Sequence, residues 1–299
     1  MDVRTDGITD VSASYGLRPV WRRFRRHRLA FWGLVVVSFF CLMAVFASQV
    51  APHDPYRTFV RSDGSYAVWD PPSSAHLLGT DNVGRDVLSR LIFAGRVSMS
   101  VGIIAVAVST VIGVILGSAA GFFGGPVDSV IMRFTDTVIC FPVLFLVLIV
   151  ATMVGPSIYN IMLVIGLIYW TRTCRLVRAE FLRLREMEFT EASRALGAGS
   201  LRTIFRHLLP NAISPVTVSA TLLIAQAILI EASLSFLGAG VQQPVASWGN
   251  MLNEATSYTV LATRPWLWVP PGLAIMLTVL AVNFIGDGLR EALDPRQKQ

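Results

Sequence analysis

Long apolar runs without a single charge dominate the chain. No Asp, Glu, Lys or Arg occurs in residues 29–53, 97–127, 137–171, 207–230 or 265–286. A hydrocarbon core ~30 Å thick takes ~20 apolar residues at the α-helical rise, so each run can hold a membrane span. The run 137–171 is long enough for two, and Gly155-Pro156-Ser157 divides it. The pattern predicts an all-α integral membrane fold of about six transmembrane helices, at 29–50, 98–123, 130–154, 158–177, 214–237 and 267–286. Helix is the expected form, because lipid offers a bare backbone no hydrogen-bond partner. A cleaved signal peptide is not expected: the first run starts late, is long, and lacks a small-x-small site before Pro52.

Composition sharpens this. Hydrophobic residues make up 54% of the chain and charged ones 15%, against ~25% charged in soluble domains. With both termini in the cytoplasm, 19 of the 25 Lys and Arg fall inside. Only Arg57, Arg61, Arg85, Arg90, Arg96 and Arg264 remain outside, the bias that positive-inside orientation requires. The net charge of +6 is thus a topology signal more than a nucleic-acid one.

The chain divides into a cytoplasmic tail and interfacial helix (1–28), a first span (29–50), an extracytoplasmic segment (51–96), a core of five spans (97–290) and a cytoplasmic tail (291–299). In 17–28, Val20, Trp21 and Phe24 share a helical side among arginines, as in a helix lying along the inner leaflet or a plain basic flank. Turn-rich chain is expected from residue 51, followed by an amphipathic helix on the outer surface over DNVGRDVLSRLIFAGR. Gly113, Gly117 and Gly121 recur every fourth residue, either a groove for a neighbouring helix or ordinary membrane-helix glycine. Cys41, Cys140 and Cys174 lie in or beside spans and read as packing residues.

The longest inner connection, 178–213, reads as a helix–turn–helix. REMEFTEASRAL is rich in helix formers, Gly197-Ala198-Gly199 interrupts, Ser200 can cap a second helix, and LRTIFRHLL ends at Pro210. Apolar Leu201, Ile204, Phe205, Leu208 and Leu209 alternate there with Arg202 and Arg206, so one side can face membrane or partner.

EASRALG followed by LLP resembles the cytoplasmic coupling loop of bacterial ABC importer permeases, E-A-A-x3-G-x9-I-x-L-P. Glu191, Ala192, Gly197, Leu209 and Pro210 match, Ser193 takes the second alanine slot, and His207 departs from the isoleucine. HLLGTDNVGRDVLSR (76–90), EASLSFLGAGVQQP (231–244), SWGNMLNEA (247–255) and LTVLAVNFIGDGLREALDP (277–295) resemble the C-type permeases of dipeptide and oligopeptide importers. The resemblance implies a type I importer permease fold in a bacterial or archaeal inner membrane. It implies a homologous permease as heterodimer partner, one or two cytosolic ATPase subunits, an extracytoplasmic substrate-binding protein, and a peptide substrate. Glutathione, nickel chelates and oligosaccharides are the alternatives among related systems. The 191–210 loop would dock on the ATPase, with Gly197 permitting the reversal and Pro210 ending the second helix. Glu191 would be either a charge partner for the ATPase or a solvated helix glutamate.

What is missing narrows the function. The only lysine is Lys298, so no P-loop can form, and ATP and Mg are expected on partner subunits, with no cofactor here. No HExxH or CxxC is present, so no metal site is expected, nor any catalytic residue. Arg133 and Asp136, three apart, could pair. They and Glu231 are candidate gate or pathway residues, or interfacial groups with partners. An ion-coupled secondary carrier would need more intramembrane carboxylates than these. A nucleic-acid reader built on the 172–206 arginines would be tethered to spans at both ends and could not reach a groove.

Overall fold

The computed structural model describes residues 17–155 and 157–293; the expected tail 1–16, residue Pro156 and the last six residues, Lys298 included, lie outside them. Two helices open the chain, α1 (Leu17–Arg26) and α2 (Arg28–Val45), hinged where His27 Nδ1 accepts the Ala30 N–H at 3.0 Å. Phe46 breaks the first expected span, leaving the single turn α3 (Ala47–Val50) beyond it. Irregular chain then runs to α4 (Val87–Phe123), with only isolated bridges such as Thr58 to Arg85.

The outer-surface helix expected after residue 81 is not a separate element. Asp86 caps the chain there, its side chain accepting the Ser89 N–H, and the helix runs on for 37 residues to Gly124. Its first turns carry polar residues that the loops pair: Arg90, only 2% exposed, donates to the carbonyls of Pro55 and Pro244.

The span expected at 130–154 is likewise two helices, α5 (Gly125–Ile139) and α6 (Val143–Val154), meeting at 89°. Pro142 explains the elbow, since it has no N–H to donate and steers Phe141 out of helical geometry. The break expected at 155–157 does occur: Gly155 ends α6 at φ +96°, and α7 (Ile158–Arg185) follows.

After α8 (Glu188–Ala195) and the turn α9 (Ser200–Thr203), a π-helical stretch, Ile204–Leu208, leads straight into α10 (Leu209–Phe236). Pro210 therefore does not end the second helix, and Ser200 is its first residue while Gly199 takes the cap position. The widened turn absorbs the proline: Leu209 N–H reaches back to Ile204 O, and Asn211 Nδ2 donates to His207 O at 2.6 Å. Two short helices, α11 (Trp248–Leu252) and α12 (Tyr258–Thr263), precede α13 (Pro265–Leu293).

Among the described residues, four helices are long and apolar enough to cross a membrane: α2, α4, the continuous helix Ser200–Phe236, and α13. The bent pair α5–α6 makes a fifth. The remaining expected span, 158–177, is helical throughout as part of α7, but Tyr159, Asn160, Arg172 and Arg175 dilute its apolar character. One face of it is packed inside, with Ile161, Ile165, Tyr169 and Phe181 buried, while Tyr159, Arg172 and Arg175 lie on its exposed face. Apolar side chains on α2 and α4 are left exposed, Trp32, Phe39, Val111 and Ile115 among them.

The α4–α7 seam explains the glycine stripe. A Cβ on Gly113, Gly117 or Gly121 would come within 2.5 Å of Thr173 Cβ, Cys174 O and Phe181 Cβ respectively. Backbone lies against backbone here, as small residues permit. Gly117→Val is expected to cost ~1–3 kcal/mol by overpacking and to lower the melting temperature in detergent. Gly272→Ala, whose Cβ meets nothing closer than 3.8 Å, is the control. Equal melting temperatures for the two variants would contradict the seam. Of the cysteines only Cys174 is buried; Cys140, beside the elbow, is exposed, and all three are free.

At the opposite edge, α1 folds onto the end of α13. Phe24 and Ala292 are buried together with Ala30, while Trp21 stacks on Phe24 and faces outward.

Candidate functional site

The connection after α7 is a knob rather than a floppy loop. Thr190, fully buried, donates its hydroxyl to Leu184 O at 2.8 Å and locks α8 to the end of α7. The C-terminus of α8 closes as a Schellman motif: Ala198 N–H reaches Ser193 O at 3.1 Å, with Gly197 at φ +79° between them. Thr203 then donates to Gly199 O at 3.1 Å. Beneath the knob, Phe181, Leu184, Ile204, Leu208, Ala212 and Val216 form a buried cluster that joins α7 to α10. The knob is thereby packed onto two long helices.

Its other face is open. Glu191, Ala192, Gly197 and Pro210 are exposed, and Ser193, His207 and Leu209 are half-buried. Around them Leu196, Leu201 and Phe205 are 89%, 69% and 64% exposed, an apolar patch ringed by Arg202, Arg206 and Glu191. Leu201 and Phe205 are legible from their four-residue spacing; Leu196 carries no such signal.

Charge pairing along the bundle departs from the sequence expectation. Asp136 pairs with Arg175 of α7 at 2.5 Å, not with Arg133, which is exposed on its own helix. One turn further along α7, Arg178 takes Asp128 in a two-pronged contact of 2.5 and 2.6 Å. Arg172 donates to Gln226 of α10 and lies over the Tyr169 ring. Arg172, Arg175 and Arg178 recur every third residue at one end of α7, a sequence signal that interhelical pairing explains. A cavity of ≈ 510 Å³ opens inside the α5–α6 elbow, lined by Phe141, Pro142, Ile168, Tyr169, Arg172 and Arg175.

Glu231 is completely buried in α10 and does not line that cavity. Its oxygens accept hydroxyls from Ser98 of α4 (3.0 Å) and Ser235 (2.8 Å). Ser98 in turn accepts the Trp248 N–H, and Ser235 that of Val241. The carboxyl thus ties α4, α10 and the loop carrying α11 at the end away from the knob.

Beside it, Asp81 accepts from Arg85 at 2.7 Å and lies 3.4 Å from Arg90, while both arginines reach Gln243 Oε1. Glu254, in the turn after α11, is pushed up to about 7, by burial first and by Asp81 second. Its usual value of 4.5 is that of the unfolded chain, so the folded state holds the proton better. Its contribution to stability is full below pH 4.5 and drains as pH rises through 7. Melting temperatures of wild type should fall between about pH 5 and pH 8, with a flatter slope in Glu254→Gln. The same slope in both would refute this role.

Apolar helices, two of them meeting at an elbow, and a short-helix knob projecting at one end make up the fold. The fold matches the inward-facing MetNI methionine ABC transporter with a TM-score of 0.55 at 17% identity, over 69% of this chain and 96% of that one. A family profile described as the binding-protein-dependent transport system inner membrane component matches residues 113–299, and the chain belongs to that family. A second profile, the N-terminal TM domain of oligopeptide transport permease C, matches residues 16–72. A putative peptide permease of Brucella suis is 44% identical over 92% of this chain and 89% of its own. The dipeptide transport system permease of Alkalihalophilus pseudofirmus is 38% identical over 94% and 90%. A glutathione transport system permease of Pectobacterium atrosepticum is 39% identical over 97% and 95%. The chain is a multi-pass membrane permease and a transport subunit, not an enzyme.

Proposed function

We propose that this chain is one half of the translocation path of an importer for short peptides, with the knob and both termini in the cytosol. The observation that carries it is the exposed patch of Leu196, Leu201 and Phe205 on short helices anchored by Thr190 and the Phe181 cluster. An apolar face of this kind, free of lipid at the bundle's arginine-rich end, suits a groove on a cytosolic ATPase. ATP and Mg bind there, not on this chain, and Glu191 and Ser193 contact the groove's rim. A homologous permease closes the path on the side of the α5–α6 elbow. Arg172 and the Asp136–Arg175 pair stand at its wall, and Arg133 lies beside them; Glu231 holds the helices in register. An extracytoplasmic binding protein docks over the 51–86 loops.

The relatives' names favour peptides, with glutathione as the second reading because one relative of 39% identity carries that name. The test is reconstitution in liposomes with the cognate permease, ATPases and binding protein. ATP-dependent uptake of a labelled dipeptide or tripeptide supports the proposal, and preference for glutathione selects the second reading. Uptake driven by a proton gradient without ATP would overturn both.

A further inference from the structure

The loops at the end away from the knob bring together three titratable groups, two histidines and an aspartate. His53 follows α3, His76 lies 10 residues before Asp86, and Asp86 caps α4. The Asp86 carboxylate is completely buried. Its Oδ2 is occupied, accepting the Ser89 N–H at 2.8 Å and the Ser89 hydroxyl at 2.7 Å. Its Oδ1 faces two imidazoles, His76 Nδ1 at 2.9 Å and His53 Nδ1 at 3.7 Å.

His53 Nδ1 is buried without any hydrogen-bond partner. The histidine's backbone N–H donates to Ser89 Oγ at 3.0 Å, which ties His53 to the residue that holds the carboxylate. Phe59 walls the pair, its ring 5.0 Å from His53 and 4.6 Å from His76. Among the described residues no arginine pairs with Asp86, whereas neighbouring Asp81 takes both Arg85 and Arg90. The groups that face Asp86 Oδ1 are these two imidazoles.

We propose that His53, His76 and Asp86 bind one divalent transition-metal ion of the Zn²⁺ class. One donor atom from each lies within 4.8 Å of the others. Tetrahedral bonds of ~2.0–2.1 Å set neighbouring donors about 3.3 Å apart, and 2.9 and 3.7 Å straddle that spacing. Two imidazoles and a carboxylate select zinc, cobalt, nickel or copper over calcium or magnesium. Ser89 orients the carboxylate as an outer-shell partner does. The histidine side chains, 29% and 13% exposed, leave the fourth position to water. The ion would staple the 51–86 loops to the start of α4. Sequence scanning misses such a site because its ligands come from irregular chain at no motif spacing.

The test uses the full chain, purified in detergent and stripped with a chelator, and Co²⁺ as a coloured probe. One Co²⁺ per chain should bind with visible absorption bands, be displaced by Zn²⁺, and raise the melting temperature. His53→Gln, which leaves the His76–Asp86 contact intact, should weaken binding at least tenfold, as should Asp86→Asn, which can still cap α4. His27→Ala and His207→Ala, outside the cluster, should bind as wild type does. Absence of one-to-one binding in wild type would overturn the site whatever the variants do. So would unchanged affinity in a folded His53→Gln chain.

Discussion

Gly197→Val is expected to reduce ATP-driven uptake at least tenfold while the chain still reaches the membrane in normal amount. Gly197 sits at φ +79°, and nothing lies within 4 Å of the position its Cβ would take. The penalty is therefore backbone strain alone, ~1–2 kcal/mol for a residue with a Cβ and more for a β-branched one. That is small against the stability of the bundle. It is large for α8, eight residues long and held by its ends through Thr190 and the Schellman closure. The knob should shift or fray, and its apolar patch lose its shape. Asn tolerates this conformation, so Gly197→Asn should keep most of the uptake. Glu191→Arg, which reverses an exposed charge without touching the backbone, should impair uptake without changing the melting temperature. Uptake and immunoblots of the membrane fraction, measured together, separate the two effects. Normal transport by Gly197→Val would remove the knob from the mechanism.

The largest loss of stability is expected from Trp248→Ala, ~3–5 kcal/mol as for other buried aromatic truncations. Trp248 is 1% exposed, packs edge-on against Phe40 at 5.4 Å, and donates its Nε1–H to Leu91 O at 3.2 Å. It also fills the space over Gly95, where a Cβ would lie 3.3 Å from its ring. Its backbone N–H feeds the Ser98–Glu231 chain, so the cavity would open where α2, α4 and α10 are tied together. Trp32, 64% exposed, is the matched comparison and should cost far less. Thermal unfolding in detergent checks both, and a Trp32→Ala chain as unstable as the Trp248→Ala one would contradict the assignment of the core.

The spans are readable in the sequence because charge is expensive in hydrocarbon and leaves long gaps between arginines. The elbow is not, because Val138–Val154 stays apolar through Pro142, and hydropathy is blind to a missing N–H. Pro210 misleads in the opposite sense. A proline normally stops a helix, but the π-turn at Ile204–Leu208 and the Asn211 side chain supply the lost bond. The knob's residues are legible from the motif, and its exposed patch only in part. The partners of Arg175 on α5, of Glu231 on α4 and of Asp86 at His53 come from distant stretches of chain. Local spacing can mark the α7 arginines but names none of these partners.

Transfer of work from a separate ATPase through the knob to α7 and α10 is tested most directly by disulfide cross-linking. The permease carries Phe205→Cys, with Cys41, Cys140 and Cys174 replaced, and is co-expressed with an ATPase bearing a cysteine in its docking groove. A cross-linked permease–ATPase product whose yield changes with ATP is the predicted result. Modification of the introduced thiol in intact cells by a membrane-impermeant reagent, with no ATPase adduct, would contradict it.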